Sequence, residues 1–189
     1  MEQTKDYIRL AADLQSDSIV DGPGLRTVIW TQGCAHHCPE CQNPQTWDFE
    51  GGGLVLVSEV LKAIDELEEQ TGITFSGGDP MYQPDACTEI AKYCKKLGYN
   101  IWVYTGFTYE ELLKLSEKKP IYKEFLKYID VLVDGPFLIK ERDLSLLFRG
   151  SRNQRLIDIP KTRKAKKIVL FDESEYNEEK VFAREPMFI

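Results

Sequence analysis

Short β-branched and aromatic runs alternate with amphipathic stretches along this chain, and each run stops at residues that a strand does not continue through. Thr27–Gln32 ends at Gly33, Ile73–Phe75 at Ser76-Gly77-Gly78-Asp79-Pro80, Ile101–Tyr104 at Thr105-Gly106, and Ile129–Val133 at Asp134-Gly135-Pro136. Between them lie helical patterns. Val60, Ala63, Ile64 and Leu67 recur at helical spacing, with Ser58 as a candidate cap and Gly72 as a stop. Pro84 opens a second helix whose apolar face is Ala86, Cys87, Ile90, Ala91, Cys94 and Leu97, closed by Gly98. Thr108 and Glu111 have capping-box spacing ahead of Leu112, Leu113 and Leu115, and a further helical stretch covers 121–128. Such alternation predicts an α/β fold, a mainly parallel sheet with outer helices. Arg155–Ile159 and Lys167–Phe171 are weaker strand candidates, and 172–180 is ambiguous.

In sheets of this type ligands collect at the carboxyl ends of the strands. The chemistry-bearing residues fall there: the cysteine-rich stretch 34–41, Gly77–Asp79, Tyr104–Gly106 and Asp134. One convergent site is therefore expected. The 189 residues are read as a single domain, 1–189, with 161–189 set apart as a C-terminal extension.

Cys34, Cys38 and Cys41 stand in a C-x3-C-x2-C pattern, and five cysteines is an odd number. Clustered thiols of this kind point to metal ligation rather than a disulfide framework. Iron–sulfur cubanes normally take four protein thiolates. Three in one loop would leave one iron open to a small molecule, and S-adenosylmethionine can chelate it through its amino and carboxylate groups. The rival is a structural zinc site with His36 or His37 as fourth ligand. It is disfavoured because both histidines lie inside the 34–38 loop and no second knuckle follows. Cys87 and Cys94 read as buried apolar residues, and Trp30 and Trp102 as core.

Acidic residues outnumber basic ones by 31 to 24, which argues against nucleic acid or an anionic membrane as the main partner. No apolar run reaches the roughly 20 residues that span a bilayer. The polar start, Met1 to Asp6, lacks the form of a secretory signal, so the expected compartment is the cytoplasm.

The cysteine loop, followed by Ser76-Gly77-Gly78-Asp79-Pro80, resembles the radical S-adenosylmethionine superfamily. Val20-Asp21-Gly22-Pro23-Gly24-Leu25-Arg26 and Gln42-Asn43-Pro44 resemble the glycyl-radical activases within it. Thr46-Trp47, Trp102 to Gly106, Asp130 to Gly135, and Lys140 to Ser145 running into Phe148 to Gln154 are most similar to activating enzymes of anaerobic ribonucleoside-triphosphate reductase. The likeness spans roughly 15–158. Arg152 departs from it where a second serine is expected, and the segment from Lys161 onward has no counterpart.

The resemblance implies a partial (β/α) barrel, a [4Fe-4S] cluster held by Cys34, Cys38 and Cys41, and S-adenosyl-L-methionine as co-substrate. Glu40, Cys41 and Gln42 would lie beside the adenosine, Gly77 and Gly78 beside the methionine, and Asp79 at its ammonium. Asp21 and Asp134 would line the cavity, and Arg149, Asn153 and Gln154 would sit at its mouth. The implied partners are the reductase large subunit, whose glycine becomes a radical, and a flavodoxin-like electron donor. A small-substrate radical enzyme such as 7-carboxy-7-deazaguanine synthase is the enzymatic alternative, and a zinc-stabilised interaction module the non-enzymatic one.

Overall fold

The computed structural model describes residues 5–175. Eight strands form one open sheet: β1 (Tyr7–Leu10), β2 (Gln15–Ser18), β3 (Arg26–Thr31), β4 (Gly53–Leu56), β5 (Gly72–Gly77), β6 (Asn100–Tyr104), β7 (Val131–Asp134) and β8 (Arg155–Asp158). Their order is β4-β1-β3-β5-β6-β7-β8, with β2 also paired to β3. The central four, β3, β5, β6 and β7, are parallel. Every pairing outside them is antiparallel. The helices are α1 (Val57–Asp65), α2 (Pro84–Lys96), α3 (Tyr109–Ser116), α4 (Ile121–Leu126) and α5 (Ile159–Ala165).

Period-two alternation divides each central strand between two faces. Ile101 and Val103 of β6, Leu132 of β7, and Ile73 and Phe75 of β5 join the core beneath α1–α4. Phe75 meets Phe125 of α4 edge-on, with ring centroids 5.8 Å apart. Trp102, Val131, Val133 and Leu156 form a second cluster on the opposite face, joined by Tyr104, Phe148 and Phe171. The outer helices therefore leave one face of the sheet free to build a site.

Arg26 plugs the amino-terminal end of that free face and is fully buried. Its Nε donates to Thr74 Oγ1 at 2.7 Å, and Nη2 donates to the carbonyls of Ile73 at 2.9 Å and Asn100 at 3.0 Å. Nη1 reaches the Pro23 carbonyl at 3.2 Å and Asn100 Oδ1 at 3.3 Å. The guanidinium also lies 5.6 Å from the Trp102 ring centroid. Burial pulls its pKa down to about 10, so it remains charged near neutrality.

Several boundaries differ from the sequence reading. α1 begins at Val57 directly after β4, which places Ser58 inside the first turn, and Gly72 begins β5 rather than closing the helix. Leu97 is the C-cap of α2 and is 47% exposed rather than on its buried face, and Gly98, at φ +88°, turns the chain just after it. The Thr108–Glu111 capping box forms as expected, with Glu111 Oε2 accepting from Thr108 N at 2.8 Å. In place of a strand over 167–171, a single bridge joins Leu170 to Ile157. Residues 1–4 and 176–189, including much of the extension, lie outside the described residues.

Candidate active site at the carboxyl end of the parallel strands

The four parallel strands end on one edge, at Thr31, Gly77, Tyr104 and Asp134. The cysteine loop rises from the first of these ends. Its base is clamped by Gly33 N donating to Thr46 O at 2.8 Å and Cys34 N to Trp47 O at 3.1 Å. Within it, His37 (φ 47°) and Glu40 (φ 59°) take the left-handed conformation, costing about 1–2 kcal/mol each. The turn is tight, with Cys41 N donating to Cys38 O at 3.1 Å.

Each thiol meets a backbone N–H. The His36 and Phe137 amides lie beside Cys34 and Cys38 and favour their thiolates, and Asn43 N donates to Cys41 Sγ at 3.4 Å. Cys34 is buried and the other two are half-buried. Burial pushes the Cys34 thiol up to about 11 and raises Cys38 as well, so loading a metal cluster releases protons from this loop. Three thiols with amide donors suit an iron–sulfur cluster, whose sulfur ligands are tuned by such hydrogen bonds. Among the described residues no three His, Cys, Asp or Glu side chains gather as a single-ion site. Neither histidine adds a ligand: His36 faces Asp79 and His37 stacks edge-on to Trp47 at 4.8 Å.

A cavity of about 520 Å³ opens beside the loop, and Cys41 and Gln42 form part of its wall. Trp30, Ser76 and Tyr104 project into it from β3, β5 and β6, and Asp21 lines it from the loop before β3. Burial raises the Tyr104 phenol pKa strongly, keeping the group neutral. Trp30 is thus a half-buried wall residue rather than core, whereas Trp102, Cys87 and Cys94 are fully buried. Arg149 and Gln154 also line the cavity. Asn153 instead turns back, donating from Nδ2 to the Pro136 carbonyl at 2.8 Å. Glu40 is exposed and lies outside the wall.

Two expected cavity carboxylates are occupied by the protein itself. Asp134 is 1% exposed and accepts from Arg155 Nε at 2.9 Å, Arg155 Nη2 at 2.5 Å and Tyr109 N at 2.8 Å. It joins β7, β8 and α3 rather than lining the cavity. Asp79 is likewise 1% exposed. Its Oδ1 accepts from Met81 N at 2.9 Å, and its Oδ2 from Thr105 Oγ1 and Gly106 N, both at 2.9 Å, and from His36 Nε2 at 2.8 Å. Those four donors brace the carboxylate within the fold.

Gly77 and Gly78 serve the same close packing. A Cβ on Gly77 (φ +100°) would stand 2.5 Å from the Thr31 carbonyl oxygen, and one on Gly78 2.5 Å from that of Gly33. The pair lets β5 touch the base of the cysteine loop, with Gly78 N donating to Thr31 O at 2.7 Å and Asp79 N to Gly33 O at 3.0 Å. Because the obstructing atoms are backbone, Gly78→Ala is expected to cost about 1–3 kcal/mol by overpacking and to impair cluster assembly. Urea unfolding and iron content after anaerobic reconstitution measure the two effects.

Sequence reasoning weighed His36 as a zinc ligand and did not foresee its contact with Asp79. It also missed the apolar wall supplied by Leu144, Leu146 and Leu147, which lie in a segment with no helix or strand period.

Comparison with known proteins agrees with this geometry. Residues 20–157 match the family model described as a 4Fe-4S single cluster domain. The anaerobic ribonucleoside-triphosphate reductase-activating protein of Escherichia coli (strain K12) is 36% identical over 145 residues, covering 72% of this chain and 90% of that protein. The protein of the same name from Enterobacteria phage T4 is 36% identical over 147 residues, covering 72% and 86%. The solved structure of QueE from Escherichia coli covers 54% of this chain and 53% of its own, with 16% identity and a TM-score of 0.45. With its three-cysteine loop set at the head of a parallel sheet, the chain belongs to the family of anaerobic ribonucleoside-triphosphate reductase-activating proteins.

Proposed function

We propose that this chain activates an anaerobic ribonucleoside-triphosphate reductase by generating a glycyl radical on it. The observation that carries this reading is Cys41 on the wall of the strand-end cavity, with Cys34 and Cys38 in the same loop. Together these three thiols would hold a [4Fe-4S] cluster. When bound, the cluster supplies one electron to cleave S-adenosylmethionine into methionine and a 5′-deoxyadenosyl radical, which takes a hydrogen atom from a glycine of the reductase. Trp30, Tyr104 and the leucines of 144–147 keep water from the reacting centre, while Gln42 and Ser76 offer polar contacts to the adenosine and methionine portions. No acid–base pair is required for hydrogen-atom transfer.

A flavodoxin-like protein is the proposed electron donor, the cytoplasm the proposed compartment, and 1–189 a single functional domain. Among the described residues no helix is long and apolar enough to cross a membrane. The test is electron paramagnetic resonance of the reductase after anaerobic incubation with this protein, reductant and S-adenosylmethionine. A glycine-centred doublet is expected. Its absence, with 5′-deoxyadenosine released instead only in the presence of a small substrate, would overturn the assignment.

Arg149 is the residue through which the reductase is proposed to be sensed. It lines the cavity, and its Nη1 sits 2.6 Å from Glu173 Oε1. Arg149→Ala is expected to reduce glycyl-radical yield about tenfold, the loss of one charge-assisted contact, while cofactor cleavage without the reductase stays near the parent rate. Equal loss of both activities would assign Arg149 to the cofactor site.

A further inference from the structure

His36 lies between two of the thiols without being placed to ligate alongside them, yet the surrounding structure is built around its ring. Nε2 meets Asp79 Oδ2 at 2.8 Å. The ring is enclosed by Phe107, edge-on at 4.6 Å, and by Tyr82 at 5.8 Å. Gly106 completes the enclosure: a Cβ there would stand 2.5 Å from His36 Cδ2 and 2.7 Å from Cγ and Nε2. The same Gly106 donates its N–H to Asp79 Oδ2 at 2.9 Å. Thus one glycine both leaves room for the imidazole and binds the carboxylate that holds it.

The backbone of His36 completes the connection, since its amide lies beside the Cys34 sulfur and favours the thiolate. A side chain anchored at the ends of β5 and β6 therefore keeps an amide beside a thiol at the end of β3. Ligand sulfurs respond to such donors in affinity and potential, and outer partners of metal ligands typically govern about 10- to 100-fold in metal affinity.

We propose that His36 is a positioning residue of the cluster loop. Its imidazole, tied to Asp79 in the pocket that Gly106 leaves open, holds the cysteine loop against the ends of β5 and β6 and so keeps the His36 amide beside the Cys34 sulfur. The role rests on the reading of Cys34, Cys38 and Cys41 as cluster ligands. It makes the Gly77-Gly78-Asp79 strand end a clamp on the cysteine loop, a duty separate from touching the co-substrate.

The test uses the full chain loaded anaerobically with ferrous iron and sulfide. His36→Leu is expected to release iron to a ferrous chelator at least about tenfold faster and to shift the reduction potential of the cluster. His36→Gln, whose amide nitrogen can stand near the Nε2 position, is expected to restore much of both. Gly106→Ala should speed iron release in the parent but add little in a His36→Ala background, because the clashing ring is gone. If His36→Leu fails to fold, judged by circular dichroism of the apo chain, the Gly106→Ala pair of measurements decides. Parent-like iron release and potential in His36→Leu, or equal Gly106→Ala effects in both backgrounds, would overturn the proposal. The ligand reading fails separately, if the parent assembles no iron–sulfide chromophore or a Cys34/Cys38/Cys41 triple serine variant assembles the same one.

Discussion

Replacing Cys41 with serine is expected to abolish activity with little change in the fold. The thiol lies half-buried at the cavity wall, and its one assigned contact is the Asn43 amide at 3.4 Å. Exchanging it for a hydroxyl should move the stability of the apo chain by no more than about 0.5 kcal/mol. A serine hydroxyl is a poor partner for iron, and two thiolates do not retain a cubane that normally takes four ligands. Iron per chain after reconstitution should fall to background, and no glycine-centred doublet should form on the reductase. Cys87→Ser is the converse control. Cys87 is fully buried on α2, so its hydroxyl counterpart is expected to cost about 1–3 kcal/mol while iron content stays at the parent level. Iron analysis and urea unfolding of the two variants should show opposite patterns. Normal iron content in Cys41→Ser would remove it from the ligand set.

Arg26→Met is expected to produce the largest loss of stability, about 2–6 kcal/mol, at about 1–3 kcal/mol for each of the two backbone carbonyls left without its donor. The guanidinium is fully buried and its three nitrogens engage Thr74, Ile73, Asn100 and Pro23. Methionine can fill the volume but leaves the carbonyls of Ile73 and Asn100 without these donors. The effect extends toward the site through Thr74, whose Oγ1 donates to the Asp21 carbonyl at 2.7 Å. Asp21 is itself on the cavity wall. Arg26→Lys should recover only part of the loss, because one ammonium does not reproduce the planar fork. Urea midpoints for the three proteins measure this, and a Lys variant as stable as the parent would contradict it.

The parallel centre was legible because buried central strands must be apolar and must end where the chain turns. Val28, Ile29, Ile73, Phe75, Ile101 and Val103 satisfy that demand, and glycine ends or follows all four strands within two residues. The antiparallel edges lacked such a signal. Gln15-Ser16-Asp17-Ser18 is polar, and β2 has its first three residues exposed. Gly53–Leu56 runs into α1 with no intervening turn to announce it.

The same distinction separates the site residues. Cysteines declare themselves by chemistry and spacing, and their placement beside the cavity followed from strand order. Aspartates do not announce their partners. Asp134 is paired with Arg155, 21 positions later, and Asp79 with His36, 43 positions earlier. Only the folded register brings those groups together as internal braces.

The sheet described above does not close on itself, and of the described residues the outer edge of β8 meets only the short bridge to Leu170. Among the described residues β4 ends one side and β8 the other, and no hydrogen bonds join them. A sealed tube would accept a polymer only tip first, as thread enters a needle. An open-edged sheet can receive a bight of polypeptide whose two flanks stay attached to a much larger body, so delivering one backbone carbon to the thiol-bearing rim requires neither a free end nor unthreading afterwards.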